Sequence, residues 1–195
     1  MVVFLRALAA LFLALSVSAC AVEVGSSPAE VAAARHISDD APYVSLVTMV
    51  NSRTDRAAHT ALIINASERV IYDPAGTFQH EDLVERGDIH YGATDRMVSY
   101  YKRYHARFSH YVHEQRLYVA PNVAETVLRR TQAQGPSPKM MCNIHTTQIL
   151  NDVQVLGAFQ SSIFPQELRE QFGRIPGVQD SYTREDDRTK AVPNS

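Results

Sequence analysis

The sequence predicts an α+β domain, an antiparallel sheet with helices packed on one face, on three observations. Short runs of β-branched and apolar residues occupy 43–50, 59–64, 69–73 and 111–120, the signature of strands. Segments 93–108, 121–135 and 142–156 repeat their apolar residues at helical spacing instead. The strands come in runs interrupted by helices rather than in strict alternation with them, which separates α+β from a parallel α/β arrangement.

Taken in order, the run 43–50 ends at the turn cluster Asn51-Ser52-Arg53-Thr54-Asp55. Runs 59–64 and 69–73 flank Asn65-Ala66-Ser67-Glu68, the pattern of a hairpin, and Pro74-Ala75-Gly76 closes the second. Helix 93–108 carries Met97, Tyr100, Tyr101, Tyr104 and Phe108 at its spacing, and the tyrosines read as core or rim by that periodicity. After strand 111–120, Pro121 opens a helix bearing Val123, Val127 and Leu128, which Gly135-Pro136 stops. Helix 142–156 aligns Cys142, Thr146, Ile149 and Val153 on one face.

Four regions follow along the chain. Residues 1–19 carry Arg6 and a short apolar run, too short to span a bilayer, and read as a signal peptide. Residues 20–41, rich in Ala, Ser and Asp, read as a tether, 42–179 as the folded domain, and the polar 180–195 as a disordered tail. Val17-Ser18-Ala19-Cys20 resembles the lipobox of bacterial lipoproteins. That resemblance implies cleavage before Cys20 and acyl chains on it, hence a membrane anchor. Ala21 is not the aspartate that retains such lipoproteins on the inner membrane, so the implied address is the outer membrane facing the periplasm.

The net charge is −2, and loss of Arg6 with the leader makes it −3. Basic residues are interleaved with acids, unlike the stripe of a phosphate binder, so no nucleic-acid partner is expected. His105, His110 and His113 lie close together, but residues three apart on a strand point to opposite faces. No recognised ligand pattern completes them, and neither a metal nor a cofactor is expected.

With Cys20 consumed as the anchor, Cys142 is left as an unpaired thiol in an oxidising envelope, where cysteines are usually paired. Such a thiol is either buried and inert or kept for its reactivity. A cysteine nucleophile needs a histidine base and a third polar group to orient the ring, and gains from a helix N-terminus. Cys142 lies near the start of its helix, although Ser137 with Pro138 is an alternative cap one turn earlier. His59 is the candidate base, on the same strand face as Ala61 and Ile63, where a helix would pack. Asp73 is the candidate third residue if the hairpin loop is Asn65-Ala66-Ser67, with Ile64 opposite Glu68. A two-residue loop, Ala66-Ser67, turns Asp73 to the other face and leaves Tyr72 as the nearest polar group. His145, one turn beyond Cys142, is an alternative base.

Ala58-His59-Thr60-Ala61-Leu62-Ile63-Ile64, the hairpin partner ending in Tyr72-Asp73-Pro74, and the later Met141-Cys142-Asn143 together resemble the circularly permuted branch of the NlpC/P60 papain-like superfamily. There the histidine strand precedes the cysteine helix. The resemblance spans roughly residues 43–160 and implies a permuted papain-like fold with Cys142, His59 and Asp73 as a catalytic triad. It further implies an envelope cysteine amidase or peptidase, with peptidoglycan peptides as the substrate its address suggests. The Asn-Cys pair that often opens the cysteine helix of the acyltransferase relatives is Met141-Cys142 here, against a lipid substrate. The contrasting reading is a non-catalytic envelope lipoprotein that binds a wall fragment or a partner protein.

Overall fold

Apolar residues fill both faces of the first two strands, and both faces are buried in the computed structural model, which describes residues 25–185. The elements are α1 (Pro28–Ala33), β1 (Tyr43–Asn51), β2 (Ala57–Asn65), β3 (Arg69–Tyr72), β4 (Val84–Arg86), β5 (Ile89–Tyr91) and α2 (Asp95–His105). They continue with β6 (His110–Tyr118), α3 (Pro121–Gln134), α4 (Cys142–Asn151), a 3₁₀ turn, α5 (Pro165–Phe172) and β7 (Gln179–Thr183). The strands form one seven-stranded sheet in the order β4-β5-β3-β2-β1-β6-β7, antiparallel at every pairing. The architecture is α+β.

Helices cover both faces of this sheet rather than the one face expected. Val44, Leu46, Leu62 and Ile64 pack with Val127, Leu128, Ile149, Leu150, Leu168 and Phe172 from α3, α4 and α5. Val47, Met49, Ala61 and Ile63 pack with Met97, Val98 and Tyr101 from α2 and with Phe78. A strand apolar at both parities needs cover on both sides, and the connection between β5 and β6 supplies it as α2.

The stretch read as a tether is, from residue 25 onward, part of the fold. Arg69 is 1 % exposed, and a guanidinium cannot be buried without partners. Its Nε donates to the Ala93 carbonyl (2.7 Å), and its two amino groups reach Ser38 and Asp40 (3.1 and 3.3 Å) and Asp95 (2.5 Å). Asn65 holds the same stretch through the carbonyls of Asp40 and Ala41. Residues 179–183, partly assigned to the tail, add β7 to the edge of β6. His113 helps fasten that edge, donating from Nε2 to Asp180 (2.7 Å), accepting from Arg169 (2.9 Å) and stacking on Tyr182. The leader, Cys20 and residues 186–195 lie outside the described residues, among which no helix is long and apolar enough to cross a membrane.

Candidate active site

His59 sits beside an irregularity in β2. Met49 faces His59, but Val50 faces Ala57, so Ala58 is an extra residue in the β1–β2 pairing. Such a bulge re-aims the neighbouring side chain. The hairpin loop matches neither register considered above: it is Ala66-Ser67-Glu68, with Asn65 opposite Arg69 and Leu62 opposite Tyr72. It shares its parity with the three-residue alternative. Asp73, one residue past β3, therefore lies on the His59 face, diagonal to it rather than directly opposite.

The carboxylate and the imidazole meet there. His59 Nε2 is 2.7 Å from Asp73 Oδ1, and the Tyr101 hydroxyl donates to the same oxygen at 2.9 Å. Asp73 is buried beneath an aromatic group in which Phe78 contacts the rings of Tyr101, Tyr104 and His105. Asp73 Oδ2 is buried with no hydrogen-bond partner among the described residues. The turn that delivers Asp73 closes with Gly76 N–H donating to the Asp73 carbonyl (3.0 Å). A Cβ on Gly76 would stand 2.0 Å from Asp73 Oδ2, so the carboxylate fits only against glycine.

Cys142 arrives from the other side of the sheet. α4 packs on the Leu62/Ile64 face, not on the Ala61/Ile63 face where a helix was expected. β3 pairs with β2 only from Leu62 onward, so the end of β2 around Thr60 is not covered by β3. At that edge Cys142 comes within interacting reach of the His59 imidazole and of the Thr60 and Asn143 backbone amides, all of which favour its thiolate. With Nε2 committed to Asp73, Nδ1 is the ring nitrogen left for sulfur.

Cys142 is the first residue of its helix, preceded by Met141 as N-cap with no capping side chain. The Asn143 amide, an orphan of the first turn, lies where it favours the thiolate. Ser137 is not the cap: its N–H donates to Asp88 (2.7 Å) and its hydroxyl lies 2.6 Å from His145 Nδ1. Tyr72 joins that second group, its hydroxyl 3.2 Å from Ser137. The alternative base and the alternative third residue are thus tied to each other through Ser137, apart from the His59–Asp73 pair.

Electrostatics follow from these contacts. Burial opposes charge on His59, but the Asp73 hydrogen bond and the sulfur outweigh it and the imidazole is pushed up to about 10. Burial likewise opposes the thiolate, and His59 with the two backbone amides brings the Cys142 thiol below its ordinary value. Burial also raises Asp73, and the His59 contact overrides it to hold the carboxyl below the usual range. These shifts all favour a thiolate and imidazolium pair with Asp73 as counter-ion. Cys142 itself is 8 % exposed and the His59 side chain 21 %.

Several participants went unnoticed in the sequence. Tyr101 reads there only as a core residue, and the Thr60 amide carries no signal at all. Asp88 binds the Ala75 and Ser137 amides (3.0 and 2.7 Å), tying the Asp73 turn to the loop before Cys142. Pro74-Ala75-Gly76 was legible as a turn, and a glycine three residues after Asp73 was the available hint. No protein-family model matches the chain, and neither a curated protein nor a solved structure is significantly similar to it.

Proposed function

We propose that this chain is a cysteine hydrolase of the permuted NlpC/P60 type, acting on amide bonds from a lipid anchor at Cys20 in the periplasm. What supports the catalytic part is the convergence of Cys142, His59 and Asp73 at one sheet edge, with the imidazole bridging sulfur and carboxylate. The order of histidine strand, acid and cysteine helix supports the kinship, and Val17-Ser18-Ala19-Cys20 supports the address. Peptidoglycan stem peptides are the substrate that address favours.

The thiolate of Cys142 attacks the amide carbonyl carbon, forming a C–S bond and an oxyanion. The Cys142 backbone N–H at the helix start supplies part of the oxyanion hole. His59 passes its Nδ1 proton to the departing nitrogen as the C–N bond breaks, leaving a thioester and a free amine. Water then attacks the thioester while His59 accepts a proton from it. Cleavage of C–S releases the carboxylic acid and restores the thiolate. Asp73 and Tyr101 orient the ring throughout.

The test is acyl-enzyme formation with 4-nitrophenyl acetate, followed by amine release from isolated peptidoglycan peptides. A stoichiometric burst with the acetyl group on Cys142, lost in Cys142→Ala and His59→Ala, is the expected result. No adduct and no amine release would leave the non-catalytic binding lipoprotein as the better reading.

A further inference from the structure

A cleft of about 450 Å³ opens beside His59, lined by Ala58, Gly76, Tyr104, His105, Arg107 and His110 among others. No Asp or Glu lines it. Arg107 occupies the turn between α2 and β6, held by paired backbone bonds with His110 (2.8 and 3.0 Å). Its guanidinium lies 4.8 Å from the centre of the Tyr104 ring, and no acid or hydrogen-bond acceptor engages it among the described residues. An arginine stacked on an aromatic ring with its donors unspent is pre-organised for a carboxylate. Asp73, the acid paired with His59, already accepts from His59 and Tyr101. Burial keeps His105 below its ordinary value, and Arg107 adds a permanent positive charge to the cleft beside that of His59.

The position of the cleft assigns it to one side of the scissile bond. His59 delivers the proton to the leaving nitrogen, so the cleft that His59 lines and Cys142 does not is the place for the leaving group to extend. We infer that this cleft binds the carboxylate of the departing amine through Arg107, and that the substrates are acyl–amino acids or peptides with a free carboxylate close to the cleaved amide. The inference rests on the hydrolase reading and adds to it the chemical class of the leaving group.

Affinity labelling of the intact protein tests both while keeping their failures apart. N-bromoacetyl-alanine and N-bromoacetyl-dialanine place a carboxylate one or two residues from the carbon that Cys142 attacks, with bromide leaving as C–S forms; their C-terminal amides are the neutral controls. The wild type should label faster with the acid than with the amide at one of the two lengths. Arg107→Gln should reduce that preference about tenfold, the scale of one charge-assisted hydrogen bond. Arg107→Lys should keep most of it, and added salt should erode it. Comparing ratios within each variant cancels any change in the thiolate or in folding. An acid-to-amide ratio unaltered by Arg107→Gln at both lengths overturns the inference and leaves the hydrolase reading intact. If Cys142 is labelled by none of the four reagents, the reading beneath fails and the inference with it.

Discussion

Gly76→Ala should disable the site without touching any member of the triad. The added Cβ would lie 2.0, 2.4 and 2.8 Å from Asp73 Oδ2, Cγ and Oδ1, where ordinary contact begins near 3.4 Å. The carboxylate must retreat by about 1 Å or more, because the backbone of the turn is pinned by the Gly76-to-Asp73 bond and by Asp88 on the Ala75 amide. That movement breaks the 2.7 Å contact with His59 and the 2.9 Å bond from Tyr101. Hydrogen bonds to a charged group contribute about 1.5–3 kcal/mol each, and allowing for partial relaxation the expected loss is about 2–4 kcal/mol. For a domain of this size that is a fall in Tm of roughly 5–15 °C. The imidazolium loses its counter-ion, so iodoacetamide alkylation of Cys142 near about pH 6.5, where free thiols are protonated, should slow tenfold or more. Ala75→Gly in the same turn is the control. Ala75 holds a left-handed φ of 57°, which glycine adopts freely, so neither Tm nor alkylation should fall. A Gly76→Ala protein that melts and alkylates like the wild type would refute the reasoning.

Asp88→Ala removes the acceptor shared by the Ala75 and Ser137 amides. It should cost about 1–3 kcal/mol in urea denaturation and slow alkylation, since the cysteine loop and the Asp73 turn lose their common tie. Arg69→Met should free the segment around residues 36–40. Its acidic partners are exposed enough to be solvated in the variant, Asp40 at 51 % and Asp95 at 90 %, so the loss should be nearer about 2 kcal/mol than the cost of a fully buried pair; limited proteolysis should then cut before Tyr43. The pH dependence of stability has a defined sign. Asp73, held low, stabilises above its unfolded value near about 3.9 and loses that contribution as pH falls through its depressed native value. His59 stabilises fully below about 6.5, and its share declines as pH rises through about 10. The depressed Cys142 thiol stabilises above about 8.5 and loses its share as pH falls through its native value, so it opposes the His59 trend just below about 8.5. Stability from urea denaturation should therefore fall less steeply with rising pH just below about 8.5 than above it, and His59→Ala should remove the alkaline decline.

The strands of the hairpin and the helices on either side of it were legible because their apolar spacing is long and regular. α2, α3 and α4 fall within the segments that periodicity marks out, and β1, β2 and β6 overrun theirs by one or two residues at one end or both. β4 and β5, three residues each, are too short to carry a period, and β7 (Gln-Asp-Ser-Tyr-Thr) is a polar edge strand with no apolar face to detect. The choice of face was not legible either. Once both parities of β2 are apolar, alternation no longer says which side a given helix takes, and α4 took the side opposite His59. The candidate residues still meet, because β3 stops at Tyr72 and leaves an edge over which sulfur reaches. Asp73 illustrates the limit of register reasoning. The loop expected was displaced by one residue on each strand, yet side-chain direction depends only on parity, so Asp73 and His59 share a face. The docking of residues 25–41 depends on a buried Arg69, whose sequence context resembles that of any surface arginine at a strand start.

The central claim is that His59 turns a buried thiol into a thiolate, and the rate of iodoacetamide alkylation of Cys142 against pH tests it most directly. The account predicts an apparent pKa below the value of about 8.5 for free cysteine, and in His59→Ala a higher value, because burial opposes the thiolate and only the two backbone amides are left to favour it. An apparent pKa at or above that of free cysteine in the wild type, unmoved by His59→Ala, would contradict it.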